Sequence, residues 1–264
     1  MQTGRTTTYD GAELAWQLLG PDTAPPLLLL PGQANSHRWW DGLRAAFADA
    51  FRTVTFDYRG TGDTRADETD AASWTTSSFA ADAVAVLDDL GYDDVLVYGT
   101  SMGGRVAQRL VVEHPARVRR LVLACTSPGG PEAVERSVEV RLSLSRRDPD
   151  AVRRALLELM YTPAWLATHD GSTLLGDPTM SAAARRGHLR ASARHDAWDR
   201  LPEVGVPVLV THGDADLMAP VRNAELLAAR VPGAELQLVA GGRHGFFEEF
   251  ADQVVPRVRG FLGA

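Results

Sequence analysis

The chain has 264 residues, of which 45% are hydrophobic and 23% are charged, and its formal net charge is −7. This length is enough for one large α/β domain or two small domains with a sizeable buried core. The negative charge disfavours nucleic acid as a partner, because binding a phosphate backbone requires a basic surface. All 27 basic residues are arginine, so the chain has no lysine for Schiff-base or phosphate-loop chemistry.

The apolar segments are too short for a bilayer, which takes about 20 consecutive apolar residues to cross. Leu27–Leu30, for example, has only the length of a strand. The stretch Met1–Arg5 leads into no apolar segment, so we expect no signal peptide, no membrane partner and a cytoplasmic location. Cys125 is the single cysteine, which excludes an intrachain disulfide and predicts a buried, inert thiol.

The first elements in chain order are the two strands of a hairpin, Thr6–Tyr9 and Glu13–Leu19, around the turn Asp10-Gly11. Further strands are predicted at Leu27–Leu30, Arg52–Phe56, Val95–Tyr98, Val118–Ala124, Val206–Thr211 and Glu235–Val239. Helices are predicted at Leu43–Ala50, Phe79–Leu90, from just after Ser101 to His114, at Val221–Ala229 and at Phe247–Leu262. Strands that alternate with helices predict a parallel sheet with helices on both faces.

The alternation stops between Pro131 and Arg200, where the sequence shows no strand pattern. Helices are predicted there at Glu132–Ser145, Pro149–Met160, Pro163–His169 and Pro178–Asp196. We therefore expect a helical lid, residues 131–200, inserted into a core made of residues 1–130 and 201–264. Met160, Trp165 and Trp198 are candidates for contact with substrate, and packing within the lid is the alternative for each.

A nucleophile motif lies where the predicted strand Val95–Tyr98 gives way to a helix. The stretch Gly99-Thr100-Ser101-Met102-Gly103 has the pattern Gly-x-Ser-x-Gly of a nucleophile elbow, in which a strained turn exposes the serine hydroxyl. Side chains at positions 99 and 103 would collide with the neighbouring strand or helix. Ser101 is therefore the predicted nucleophile.

A serine hydroxyl needs a base and an orienting carboxylate, which should lie beyond the carboxyl ends of later strands. His244 follows the strand Glu235–Val239 between glycines and is the predicted base, whereas His212 is expected to be structural. The acid is Asp214 or Asp216. We favour Asp216, because the residue farther into the loop can turn back under the imidazole.

An oxyanion hole needs two N–H donors. The backbone N–H of Met102, directly after the nucleophile, is one candidate. The second is the N–H of Gln33, in the turn that follows Leu27–Leu30.

From about Thr6 onwards the chain resembles the α/β-hydrolase superfamily. The resemblance rests on five stretches: Leu27–Gln33, Asp57–Thr64, Gly99–Gly104, Val206–Asp216 with Pro220, and Gly241–Gly245. It implies an eight-stranded, mostly parallel sheet with a helical lid, and the family pattern Gly-x-x-Asp before proline supports Asp216 as the acid. Pro31 stands where many members have histidine, and Thr64 stands where serine is usual.

The expected activity is hydrolysis of a carboxylic ester or lactone of a small, partly apolar substrate through an acyl-enzyme, without a cofactor or metal. One alternative is a carbon–carbon lyase similar to the menaquinone-pathway synthase of 2-succinyl-6-hydroxycyclohexadiene carboxylate, in which Arg105 would bind a substrate carboxylate. Others are a cofactor-free haloperoxidase or perhydrolase on the same triad, and a binding protein without catalysis.

Overall fold

One sheet of eight strands forms the centre of the protein, in the spatial order β1-β2-β4-β3-β5-β6-β7-β8. The computed structural model describes residues 1–263. Numbered in chain order, its strands are Gln2–Thr7, Glu13–Leu19, Pro26–Leu30, Arg52–Phe56, Val95–Thr100, Val118–Ala124, Val208–Gly213 and Glu235–Val239.

The sheet is mostly parallel, as the resemblance implies. Strand β2 pairs antiparallel with β1 and β4, and the other neighbouring pairs are parallel. The central strands β3 and β5 are apolar runs because helices cover both faces of the sheet there; Leu27–Leu30 are 0% exposed. The predicted fold class, an eight-stranded α/β sheet with helices, is confirmed.

The helices that flank the sheet define two cores, one on each face. Helices α1 (Thr76–Asp89), α2 (Met102–Glu113) and α7 (Arg222–Arg230) lie over one face. The C-terminal helix α9 (Ala251–Gly263) lies over the other face, with the aromatic residues Trp39, Trp40 and Phe47. The nine helices of residues 1–263 are Thr76–Asp89, Met102–Glu113, Val138–Leu144, Pro149–Met160, Pro163–Leu166, Ala182–Ala193, Arg222–Arg230, Phe246–Glu249 and Ala251–Gly263. None of these nine has the length and apolarity to cross a membrane.

The segment between β6 and β7 is helical and contains no sheet strand. Helix α4, Pro149–Met160, has the predicted bounds, and the other three helices are shorter than expected. Helix α3 begins only at Val138, capped by Ser137. Before it, the Asn223 side chain hydrogen bonds both the N–H and the C=O of Val134, at 2.8 and 2.9 Å. Those backbone groups are therefore not available for helical hydrogen bonds. Helix α6 begins at Ala182 because Ser181 caps it.

Several further boundaries differ from the prediction. Strand β1 is Gln2–Thr7 rather than Thr6–Tyr9, and β7 is Val208–Gly213 rather than Val206–Thr211. The expected helix Leu43–Ala50 is only a short 3₁₀ turn, Arg44–Ala46. The expected C-terminal helix is divided at Phe250, so that α8 ends before α9 begins.

Candidate active site

The turn between β5 and α2 holds Ser101 in a backbone conformation that few non-glycine residues adopt. Its φ is 53° and its ψ is −119°, and this type of strain is concentrated at functional sites. Two hydrogen bonds from the end of β6 hold the turn: the Ser101 N–H donates to Ala124 O at 2.9 Å, and Thr126 Oγ1 donates to Ser101 O at 2.7 Å.

The glycines beside Ser101 allow the turn to approach the sheet. A Cβ on Gly103 would overlap the carbonyl oxygens of Leu30 and Pro31, and a Cβ on Gly99 would overlap the carbonyl of Gly103. The start of α2 therefore lies directly against the loop that follows β3. The expected reason for these two glycines, close approach of backbones, agrees with this geometry.

His244 joins Ser101 to Asp216. Its Nε2 is 3.0 Å from Ser101 Oγ, and its Nδ1 is 2.7 Å from Asp216 Oδ2. Because a carboxylate only accepts, the proton lies on Nδ1, and the free Nε2 can accept the serine O–H. Both His244 and Asp216 are 3% exposed, so the hydrogen bond between them is shielded from water.

The loop after β7 supports the carboxylate of Asp216. Its Oδ1 accepts the N–H groups of Met218 and Ala219 at 2.8 and 2.9 Å. Burial alone would raise the pKa of Asp216, but the His244 and His212 rings beside it hold that pKa below its usual value. Asp216 is therefore ionised, as an orienting carboxylate must be.

His212, in β7, and Asp214, in the loop that follows, have other partners than Ser101. His212 Nε2 is 2.7 Å from Ala219 O and 3.3 Å from Asp216 Oδ2, so His212 supports the loop and the same carboxylate oxygen that His244 contacts. Asp214 Oδ1 accepts the N–H of Gly241 at 2.7 Å. Asp214 thus joins the loop after β7 to the loop after β8.

The two candidate oxyanion donors lie on backbone segments that pack together. Met102 is the first residue of α2 and is 1% exposed. Gln33 belongs to the loop Pro31–Asn35, which meets Gly103 of the same helix. Helix N-termini carry free N–H groups and a positive partial charge, which suits a developing oxyanion.

The end of α4 in the inserted segment is hydrogen bonded to the loop that carries His244. The N–H of His244 donates to Leu159 O at 3.2 Å, and the N–H of Gly245 donates to Met160 O at 2.8 Å. Met160 is buried there, and Trp165 is stacked between the rings of Tyr161 and His169 at 3.8 and 3.9 Å. These two candidates thus lie on the part of the insertion that adjoins His244.

Trp198 and Arg105 make contacts within the protein. The guanidinium of Arg230 on α7 lies over the Trp198 ring, 4.8 Å from its centre. Arg105 donates to Ser192 O, Ser192 Oγ and Ser127 Oγ at 2.6, 2.9 and 2.9 Å. Burial lowers the pKa of Arg105 to about 10, so it is charged at neutral pH, and its charge ties helix α6 to the core.

Three residues that contact the site's backbone were not predicted from the sequence: Thr126, Asp177 and His188. Thr126 holds the carbonyl of Ser101, and the other two contact Ala34 in the loop Pro31–Asn35. Ala34 has a φ of 59°, unusual for a residue other than glycine. No local pattern marks these residues, because each acts across a tertiary contact.

No group of three or more histidine, cysteine, aspartate or glutamate residues that could hold a metal ion occurs within residues 1–263. Cys125 lies at the end of β6 and is fully buried. Burial raises the pKa of its thiol well above the usual value, so Cys125 is no nucleophile at neutral pH.

A match to a family sequence profile shows which family the chain belongs to. The sequence profile described as "Alpha/beta hydrolase family" matches residues 27–257. The chain belongs to this family. The resemblance seen in the sequence is thereby confirmed, and with it membership in a family of hydrolases.

A similar sequence and a similar solved structure are both described as hydrolases. A protein of Agrobacterium fabrum named "Putative carbamate hydrolase RutD" is 31% identical over 228 residues, which cover 84% of this chain and 86% of the relative. The solved structure of a hydrolase from Pseudomonas aeruginosa PA01 is 27% identical, with a TM-score of 0.85 over 100% of this chain and 99% of the other.

The esterase RhEst1 from Rhodococcus sp. ECU1013 shares the fold. Its TM-score is 0.84 at 24% identity, and the match covers 100% of this chain and 99% of that one. Membership in the alpha/beta hydrolase family rests on the sequence match to residues 27–257. The two solved structures share the fold over 100% of this chain.

Proposed function

We propose that the protein is a serine hydrolase that cleaves a carboxylic ester or lactone through an acyl-enzyme. The observation that supports this most strongly is the continuous hydrogen-bonded chain from Ser101 Oγ through His244 to Asp216, at 3.0 and 2.7 Å. Family membership supports a hydrolytic reaction, and the strained turn at Ser101 supports a nucleophile there.

In the proposed reaction, Ser101 Oγ attacks the carbonyl carbon of the substrate while its proton passes to His244 Nε2. The oxyanion accepts hydrogen bonds from the N–H groups of Met102 and Gln33. As the tetrahedral adduct collapses, His244 returns the proton to the leaving alkoxide, and an alcohol departs. Water, deprotonated by His244, then attacks the acyl-enzyme. As this second adduct collapses, His244 returns the proton to Ser101 Oγ, and the carboxylic acid is released.

Asp216 stabilises the imidazolium that forms twice in this cycle and keeps the imidazole in the required tautomer. Its own negative charge is held by two backbone N–H groups. No cofactor or metal is needed for these steps.

We further propose that residues 131–200 act as a lid over a core of residues 1–130 and 201–264. The lid meets the His244 loop through Leu159 and Met160, so Met160 and the neighbouring Trp165 are the best candidates for the wall of an apolar acyl pocket. We assign Trp198 to packing, because its ring lies beneath Arg230 of α7.

A carbamate is a second candidate substrate, favoured by the relative of 31% identity whose name carries that activity. Attack on a carbamate carbonyl requires the same nucleophile, base and oxyanion hole. The lyase alternative loses its main support, since the three hydrogen bonds of Arg105 go to Ser192 and Ser127 rather than towards a free anion.

The test is a panel of p-nitrophenyl esters of increasing acyl length, assayed together with lactones, an aryl carbamate and, for the perhydrolase alternative, hydrogen peroxide with a carboxylic acid. The proposal expects ester or lactone turnover in the wild type that is lost in Ser101→Ala. Turnover of the carbamate alone would replace the ester assignment with the second candidate. Peroxide-dependent turnover without ester cleavage would refute both.

A further inference from the structure

The loop Pro31–Asn35, which carries the proposed oxyanion donor Gln33, is held from outside the sheet by the inserted segment. Two parts of that segment reach it: the turn Gly176–Asp177 and the helix α6 residue His188. The N–H of Asp177 donates to Ala34 O at 2.7 Å, and the N–H of Ala34 donates to His188 Nδ1 at 3.2 Å. Both backbone polar groups of Ala34 are therefore bound by the insertion.

The Asn35 side chain binds the carbonyl of the peptide group that joins Gln33 to Ala34. The Asn35 side chain accepts the N–H of Gly176 at 2.9 Å and donates to Gln33 O at 2.9 Å. The peptide plane between Gln33 and Ala34 is thus held at its carbonyl by Asn35 and at its N–H by His188. Fixing that plane anchors the C-terminal side of Gln33. The Gln33 N–H lies in the preceding peptide plane, which only φ and ψ of Gln33 separate from the anchored one.

The conformation of Ala34 explains why such support is needed. Its φ of 59° lies in the left-handed region, which costs an alanine about 1 kcal/mol or more. The hydrogen bonds on both sides of Ala34 make it the favoured state.

His188 is suited to this contact by its own surroundings. It is 0% exposed and packed among the rings of Tyr58, Trp74 and Phe79. Its Nε2 lies 2.8 Å from Arg59 O; because a carbonyl only accepts, the ring proton is on Nε2, and Nδ1 is free to accept from Ala34. Burial lowers the pKa of His188 to about 4, so the ring is neutral at neutral pH and retains this acceptor.

We propose that His188 is a positioning residue for the oxyanion hole, and that the inserted segment completes the hole by holding the Pro31–Asn35 loop around Ala34. The insertion then has two functions. It covers the substrate, as proposed above, and it holds the backbone that carries the Gln33 N–H. This inference rests on the proposed hydrolase function, in which the Gln33 N–H stabilises the oxyanion.

The test uses two substitutions that retain different halves of the imidazole. His188→Gln keeps a polar group near the position of Nε2, next to Arg59 O, and loses the acceptor for Ala34. His188→Asn keeps an acceptor near the position of Nδ1. His195→Gln is the matched control, since His195 is also a buried histidine of the insertion (2% exposed) but is bonded to Thr76 and Gln108.

The oxyanion contact is made in the transition state, so its loss lowers kcat and leaves KM almost unchanged. Losing one oxyanion donor costs about 10²–10³ in kcat, and a misdirected donor should cost about 10- to 100-fold. We expect this fall in His188→Gln, partial rescue in His188→Asn, and kcat within about threefold of wild type in His195→Gln. A trifluoromethyl ketone that adds to Ser101 should lose affinity in parallel with kcat, whereas the product carboxylate should not.

Two results would overturn the inference alone: ester turnover by a folded His188→Gln at the wild-type kcat, or an equal fall in His195→Gln. If His188→Gln does not fold, Asn35→Ala decides, because it removes the contacts to Gly176 and Gln33 from the loop side; wild-type kcat in that variant would refute the proposal. A wild type that cleaves no ester, lactone or carbamate would instead refute the proposed function, and this inference with it.

Discussion

Replacing Ser101 by glycine should abolish activity and leave the protein more stable than Ser101→Ala. The φ of 53° and ψ of −119° at Ser101 form a strained combination for any residue with a Cβ, and such strain costs about 1–3 kcal/mol. Glycine adopts this region without a steric penalty, at an unfolded-state entropy cost of about 0.5–1 kcal/mol.

The correct reference for this variant is Ser101→Ala, because both lose the 3.0 Å hydrogen bond to His244 Nε2. Subtracting the entropy cost from the strain leaves Ser101→Gly more stable than Ser101→Ala by up to about 2.5 kcal/mol. For a protein of this size, each kcal/mol of that difference raises Tm by about 2–4 °C.

The assay is urea unfolding followed by circular dichroism, with m compared to verify that both variants unfold the same surface. Ester hydrolysis is measured on the same samples and should be at least about 10³-fold below wild type in both. A Ser101→Gly variant that is less stable than Ser101→Ala would show that the turn does not store the expected strain.

Three further predictions follow from the site and its surroundings. Asp216→Asn should lower kcat by about 10⁴-fold, because an amide favours the wrong tautomer of the base. Asp214→Asn affects only the contact with Gly241 and should retain most of the activity in the same ester assay. A larger loss of activity in Asp214→Asn than in Asp216→Asn would exchange the two roles. His188 has a folded pKa of about 4, below the unfolded value of about 6.5, so its contribution to stability is complete above pH 6.5 and is lost as the pH falls towards 4. The loss should reach about 3 kcal/mol, and urea titrations between pH 7 and pH 4 should show a flatter pH dependence for His188→Asn; parallel curves would refute this assignment. Trp165→Ala should shift preference towards longer acyl chains by about 10- to 200-fold per well-placed group. Trp198→Ala is the control and should leave the acyl-length profile unchanged. An unchanged profile in Trp165→Ala would show that Trp165 does not line the pocket.

The parts of the fold that could be predicted from the sequence are those set by local patterns. The run of apolar residues before Gly99 and the helix after Ser101 are adjacent in the chain, so the strand, turn and helix were all visible in one stretch. The order of Ser101, Asp216 and His244 also follows the order of the strands that precede them. Because parallel strands bring their carboxyl ends to one edge of the sheet, these distant residues could be expected to meet.

The contacts of the inserted segment could not be predicted in this way. Helix α3 is shortened by the side chain of Asn223, which lies 89 residues from Val134 in the chain. His188 lies on a helix whose sequence pattern does not reveal which loop it faces, and it contacts Ala34 across 154 residues. Such contacts depend on how the insertion docks on the core, which hydrophobic periodicity does not specify.

Arg105 illustrates the same limit within the nucleophile motif itself. From the sequence, a charged residue on the first turn of α2 is expected to be a surface residue, with an anion-binding group as the alternative. Its three hydrogen bonds to Ser192 and Ser127 give it a third role, joining the core to the insertion. The role is visible only when the position of helix α6 is known.

The most direct test of the central claim is covalent labelling of Ser101 by a fluorophosphonate, followed by mass spectrometry of the intact protein and its peptides. An activated serine should displace fluoride and take up one phosphonyl group per chain, on the peptide that contains Ser101, with loss of hydrolysis in proportion to labelling. Ser101→Ala should take up no label. An unlabelled Ser101 in active protein, or full turnover by purified Ser101→Ala, would contradict the assignment of Ser101 as the nucleophile.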